Sequence, residues 1–487
     1  MKNAFYSVLT AIILLTIGCK KDEPIQNGNP TTKIFVDKIN RSGEERLNTV
    51  VNLRWSGEDK DGFVKGYEIS FNNINWEFTT KQDSVFRFSI SGNSDTTDID
   101  FYVRAIDNDG NIDPEPAFLK IPIKNKAPEI SFDQTLIKTD TVLSVFSVLW
   151  KAEDFDGFET LDSIFLKLND GIWYSVSKTT TFLTIIPENP EQSGSQNAKI
   201  YQGFEASLKN ERITNIRVND RNTIYIKARD NAGSESLPDT LKSFYLKRKS
   251  SDLLIVDAHN INVTPNPTSV YIPLLNEING NYDLFDLFPE GVTNLPSFWK
   301  PTFSLTLSLY DKVFWYGEST SINNLLPLEL ASGAIQDYLN SGGKILISSS
   351  FPSNLAKTSS VFQFSPVDSF ATVITGQRID FPIDSLAVPQ AEAGIIYPAL
   401  KISKFINGLD PFYQKSSAKL IYKAQTKTTG FIAPKAICAK SENSDGKTNQ
   451  VFCSAELNNL LGDADSNPST NELKEFFRIV LKQEFNW

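Results

Sequence analysis

Residues 55–63 read Trp55-Ser56-Gly57-Glu58-Asp59-Lys60-Asp61-Gly62-Phe63, and residues 150–158 read Trp150-Lys151-Ala152-Glu153-Asp154-Phe155-Asp156-Gly157-Phe158. A second pair follows. Phe101-Tyr102-Val103-Arg104-Ala105-Ile106-Asp107-Asn108-Asp109-Gly110 returns as Ile224-Tyr225-Ile226-Lys227-Ala228-Arg229-Asp230-Asn231-Ala232-Gly233. The chain therefore holds two copies of one unit between residues 33 and 248. The first pair is offset by 95 residues and the second by 123, so the second copy is longer by 28. The extra residues are expected within Pro187–Asn222, which is polar and has no clear period.

Each copy reads as β. Val51, Leu53 and Trp55 alternate with Asn52 and Arg54, and Phe101, Val103 and Ala105 alternate with Tyr102, Arg104 and Ile106. Period two, bounded by Asp-Gly turns, is the pattern of short half-buried strands. The early Trp and the late Tyr-x-Val/Ile-x-Ala strand resemble fibronectin type III and related immunoglobulin-like families. The resemblance implies two β-sandwich modules, 33–125 and 126–249. In such sandwiches the loops after the second and sixth strands share one pole. Asp59, Asp61, Asp107 and Asp109 would converge there in the first module, and Asp154, Asp156 and Asp230 in the second. Hard cations take several oxygen ligands from flexible loops, so these poles are candidate Ca²⁺ sites. Asp-Gly and Asn-Gly are equally good turn formers, and that reading stands beside it. The second acidic pole is expected to face the first module.

From Ser251 the pattern changes. Asp252–Asp257, Asp311–Gly317 and Gly343–Ser348 are continuous apolar runs, as in strands covered on both faces. Ala334–Asn340 has helical spacing and stops at Gly342-Gly343. Leu473, Phe476, Phe477, Val480, Leu481 and Phe485 form an amphipathic stripe over Asn471–Phe485. The expected architecture is two all-β sandwich modules followed by an α/β parallel-sheet (flavodoxin- or amidotransferase-like) domain over 250–487. The strand order resembles the class I glutamine amidotransferase-like fold. That family uses a Cys nucleophile on a tight turn after a central strand, with His and Glu later in the chain. Here the turn falls near Ser348-Ser349-Ser350, and the one histidine, His259, follows the first strand. Without thiolate and imidazole in place, amidotransferase chemistry is not expected. The strand ends instead offer Asp257, His259 and Glu318 as weak catalytic or metal-site candidates. Phe298, Trp299 and Phe303 could stack on a sugar ring or serve as loop anchors.

Cys438 and Cys453 flank Asp445-Gly446, a two-residue hairpin turn signal. Pairing across that turn sets the two cysteines directly opposite, within disulfide range. A disulfide is favoured over two buried thiols.

The N-terminus reads as an address. Met1-Lys2-Asn3 is positive, Ala4–Thr16 is apolar but short, and Thr16-Ile17-Gly18-Cys19 resembles a bacterial lipobox. The resemblance implies removal of 1–18, lipidation of Cys19 and a flexible tether over 19–32. Lys20-Lys21-Asp22-Glu23 resembles the surface-export signal of Bacteroidota lipoproteins, which implies an outer-membrane anchor exposed at the cell surface.

Composition limits function. Lys plus Arg is 48 against 58 Asp plus Glu, a net charge of -10, which argues against a nucleic-acid partner. A single histidine excludes zinc sites built on several. The leading expectation is a lipid-anchored, non-catalytic binding or scaffold protein with a glycan or surface-protein ligand. An exported hydrolase acting on carbohydrate or cell-wall material through Asp257 and Glu318 is the alternative. A purely structural stalk stiffened by calcium is a third.

Overall fold

The computed structural model describes residues 27–36, 47, 49–88, 90, 96–155, 157–260, 266–289, 293–318, 321–352, 355–407, 410–429, 432–461 and 471–486. Cys19, the leader before it and Asp156 lie outside these residues. The chain is mostly strand and divides into two compact units. One is Met1–Glu129 with Glu153–Asp162 and Ala228–Ser236; the other is Ile130–Ala152, Ser163–Lys227 and Leu237–Trp487.

The first unit contains a sandwich. Strands Thr31–Val36, Val50–Glu58 and Asp83–Arg87 form one sheet. Glu77–Thr79, Val64–Ser70, Thr96–Asp107 and Ala117–Lys124 form the other. The period-two pattern explains which side chains fill it: Val51, Leu53, Trp55, Phe101, Val103 and Ala105 are buried in one cluster. The expected tether ran to residue 32, but strand structure starts at Thr31. Thr32 Oγ1 accepts the Ala105 amide at 2.8 Å and donates to Asp113 at 2.7 Å, so this segment is part of the sandwich.

A second sandwich follows. Its sheets run Ser207–Val218, Gly194–Gln202, Phe182–Pro187, Phe146–Glu153, Glu129–Phe132 and Tyr174–Ser177, Leu161–Leu168, Asp220–Asp230, Asp239–Leu246, Thr141–Val142. The inserted residues, read as polar and aperiodic, are the long hairpin 194–218. Register shifts at Gln196/Ala198 and Lys199/Tyr201 break the alternation, which hides the strands from a period-two reading. Ala198, Ile200, Ile213, Ile216 and Val218 still reach the sandwich core.

A domain boundary was expected at 249/250. The second unit instead binds its sandwich to the C-terminal region. Ser147 Oγ lies 2.6 Å from Thr302 Oγ1, and Phe298 packs on Phe182 and Phe204 with ring centroids 5.1 and 5.6 Å apart. Lys249, with a side chain 5% exposed, bridges Glu191 at 2.5 Å and Asp252 at 2.8 Å. Phe298 and Phe303 are therefore anchors; Phe303 is fully buried.

Among the described residues, the C-terminal sheet has eleven strands. Asp283–Asp286, Leu253–Ala258, Lys312–Gly317, Lys344–Ser349 and Thr448–Cys453 lie side by side and parallel. Their alternate residues feed two cores. Leu253 and Ile255 face the helices Pro267–Asn279 and Asn471–Arg478. Leu254 and Val256 face Trp299–Leu307 and Ser332–Asn340. Cover on both faces is why these strands are apolar throughout. The expected parallel strands make up one part of this sheet; beyond them it turns antiparallel at the hairpin Ala436–Cys453, where the two cysteines were expected to pair, and continues through Lys419–Ala424, Leu386–Pro389 and Leu400–Lys401. A short hairpin can only reverse the chain.

Glu484 locks the C-terminal end. It is buried and takes Lys440 Nζ at 2.6 Å, Tyr397 OH at 2.8 Å and Thr448 Oγ1 at 2.5 Å. No helix among the described residues is long and apolar enough to cross a membrane.

Candidate functional site

Along the chain the five parallel strands occur as 253–258, 283–286, 312–317, 344–349 and 448–453, but in space the second stands outside the first. The connections after 253–258 and 312–317 therefore leave in opposite directions, and the carboxyl ends of these two paired strands lie side by side between them. Asp257, His259 and Glu318 all sit there, so the structure brings the three candidates together.

The sequence around them explains the geometry. Asn266 caps the helix that follows the first strand, its Oδ1 accepting the Thr268 amide at 2.9 Å, and Pro267 occupies the first turn. That start aims Thr268 Oγ1 at Asp257 Oδ2, 2.9 Å away. Tyr316, from the neighbouring strand, donates to the same oxygen at 2.7 Å. Asp257 Oδ1 accepts the His259 amide at 3.0 Å. Glu318 accepts the Asn260 amide at 3.2 Å, and its second oxygen lies 3.7 Å from His259 Nε2. Exposure is 7% for Asp257, and 5% and 12% for the side chains of His259 and Glu318. The trio is thus bonded within the fold and withdrawn from solvent.

Two neighbours were not read from the sequence. The Tyr316 hydroxyl titrates far above its usual range because it is buried and faces Asp257. Asp286, at the end of the edge strand, has a raised pKa: burial is the main cause and the Asp257 charge adds to it, against the Phe288 amide. Tyr316 lay in an apolar run and Asp286 in a short acidic segment, so neither carried a local signal.

The serine turn is structural. Ser348 is fully buried; its Oγ accepts the Leu457 amide at 3.0 Å and donates to the Ala455 carbonyl at 3.2 Å. Ser350 Oγ donates to Glu456 at 2.8 Å. Tyr271 OH accepts the Asn458 amide at 2.8 Å, closing the same loop.

In the loops of the first sandwich, Asp59 lies beside Asp61 and feels the Asp107 charge, and Asp107 accepts the Asp109 amide at 2.9 Å. Phe63 N donates to Asn108 Oδ1 at 2.9 Å, joining the two loops, and a Cβ on Gly62 would stand 2.1 Å from that oxygen. Asp59 has a raised pKa, from burial first and then from the Asp61 carboxyl and the Asp107 charge. Burial alone would also raise Asp107, but the Asn111 side chain and the amides of Asn111, Asp109 and Gly110 outweigh it and hold it low. Asp61 accepts the Gly28 amide at 2.8 Å and Asp109 the Asn27 side chain at 3.1 Å.

The repeat has a plain physical basis here. Asp107 accepts the Asn111 amide and Asp230 the Ser234 amide, each at 2.8 Å, and Gly110 and Gly233 share a φ of 91°. Each Asp closes the turn its Asn-x-Gly sequence begins. Asp230 also accepts Asn125 Nδ2 at 2.6 Å, within the first unit. The Asp154 carbonyl accepts the Gly157 amide at 3.0 Å. Among the described residues, no group of three or more His, Cys, Asp or Glu side chains is arranged to hold a metal ion.

Cys438 and Cys453 are paired across the hairpin with Cα atoms 4.1 Å apart, and a disulfide joins them.

Among the described residues of the second unit are cavities of ligand size. One of about 350 Å³ lies between Leu143 and Phe146 on one side and Asp286 and Thr302 on the other. Another, about 520 Å³, lies beside the strand Val367–Phe370.

No known family matches the chain, and no curated protein matches it. Solved structures similar to parts of it are fibronectin-III-like and PKD-like β-sandwich domains. The fibronectin(III)-like modules of Clostridium thermocellum CbhA are 13% identical, with 45% of this chain and 94% of theirs covered and a TM-score of 0.17. A two-domain fibronectin type III segment of chicken tenascin is 13% identical, covering 45% of this chain and 99% of its own, with a TM-score of 0.18. The PKD1 domain of Vibrio anguillarum Epp is 11% identical over 21% of this chain and all of its own, with a TM-score of 0.16.

Proposed function

We propose that this chain is a non-catalytic binding or scaffold lipoprotein, anchored at a bacterial outer membrane through Cys19 and exposed at the cell surface. Its C-terminal region is read as a degenerate amidotransferase-like α/β domain, carried outward by fibronectin-like sandwiches. The observation that carries this reading is the engagement of the strand-end groups. Asp257, Glu318 and Ser348, which chemistry would need available, instead hold loops and a helix start in place. The lipobox-like Thr16–Cys19 supports the anchor.

The test is metabolic labelling with a palmitate analogue, together with antibody staining of intact cells. The native protein should label and stain, and Cys19→Ala should do neither. Unlabelled native protein recovered from the cytoplasm would sink the anchor.

Asp286 favours a second reading. A half-buried carboxyl that lines a cavity, with its pKa raised chiefly by burial, suits the general acid of a hydrolase. That reading requires turnover of a cell-wall or carbohydrate substrate that Asp286→Asn abolishes. Turnover unaffected by Asp286→Asn would remove it.

A further inference from the structure

The cavity of about 520 Å³ lies on the antiparallel half of the C-terminal sheet, away from the strand ends discussed above. Its wall is the strand Val367–Phe370, paired with Phe412–Gln414 so that Ser369 stands opposite Tyr413. Tyr413 is 54% exposed, although it belongs to a strand whose neighbour Phe412 is fully buried. Phe362 and Phe370, with ring centroids 5.8 Å apart, add apolar surface to the lining.

Asp368 accepts the Ser369 hydroxyl at 3.3 Å, and Thr372 adds a second hydroxyl to the lining. Lys415, which faces Asp368, commits its ammonium to the carbonyls of Phe362 at 2.6 Å and Ser365 at 2.8 Å. Among the described lining residues, Lys357 is the one cation and Asp368 the one carboxylate.

We infer that this cleft binds a neutral oligosaccharide, with Tyr413 as its stacking platform. A pyranose ring has a face of C–H groups and a rim of hydroxyls. An aromatic face beside carboxylate and hydroxyl groups matches both, and the balanced charge disfavours a strongly ionic ligand. The volume lies within the usual range for small-ligand sites, which is about 300–1,000 Å³. The inference deepens the binding-protein reading and rests on it.

The test presents the full-length protein to an array of neutral oligosaccharides and, in parallel, to an array of extended peptides. The native protein should retain at least one neutral saccharide. Tyr413→Ala and Asp368→Asn should each weaken that binding about tenfold. Tyr413→Phe, which keeps the ring, should retain most of it, and melting temperatures of all three variants should match the native protein. Saccharide binding unchanged in Tyr413→Ala and Asp368→Asn overturns this site and leaves the binding-protein reading standing. Peptide capture that Tyr413→Ala abolishes, without saccharide capture, overturns the ligand class and also leaves that reading standing. Capture of neither class overturns the inference and counts against the binding-protein reading too.

Discussion

Asp410 is a carboxyl that folding takes out of water. It is 3% exposed, and burial pushes its pKa up to about 7 from the ordinary 3.8. Between these two values the folded state holds a proton that the unfolded state has released. Stability therefore falls as pH rises through this window: the contribution is complete below about pH 4 and lost above about pH 7. Asp410→Asn removes the titration. In urea unfolding at a series of pH values, the variant should gain on the native protein by up to about 4 kcal/mol between pH 4 and 7. Parallel pH profiles would show that Asp410 is not a buried acid. Nothing around Leu409-Asp410-Pro411 marks this burial in advance, because a single acid in a loop looks the same whether exposed or enclosed. Asp257 and Glu318 were legible as strand-end residues because apolar runs end beside them. Their bonding partners were not, since Thr268 and Tyr316 arrive from other elements.

The hairpin Ala436–Cys453 shows how an element can be placed correctly by offsetting details. A two-residue turn at Asp445-Gly446 was expected. The turn actually spans Asn443–Lys447, with the Gly446 amide bonded to the Asn443 carbonyl at 3.0 Å and Gly446 at a φ of 71°. Asn443 Oδ1 accepts the amides of Asp445 and Lys447, which fixes that longer turn. The pairing is shifted by one residue at Glu442↔Thr448, and the irregularity before Ser441↔Gln450 restores it. Cys438 thus meets Cys453 by two compensating shifts. The disulfide closes a separation of 15 residues, so Cys438→Ala with Cys453→Ala should lower stability by about 3 kcal/mol in urea unfolding. A reductant should produce the same loss in the native protein and none in the double variant. Equal stability of the two proteins with and without reductant would show that the bond contributes nothing. In the second sandwich, by contrast, bulges concealed two strands of the inserted hairpin entirely.

At the scale of the whole molecule, three domains in series become two compact units, and the second sandwich body belongs with the C-terminal region. Calorimetry of the intact chain should resolve two transitions. Phe298→Ala, which strips the ring packed on Phe182 and Phe204, should shift one of them by about 2 kcal/mol and leave the other in place. A single transition, or an equal shift of both, would contradict the division. By itself the sequence determined the two sandwich copies, the parallel apolar strands and the opposed cysteines, because each is written as a local period or a fixed spacing. Only the tertiary structure decided that the acids close turns, that the serine turn is buried, and that the junction at Lys249 is fused. Those outcomes depend on groups brought together from distant parts of the chain, and no local pattern records which partner a polar side chain will meet.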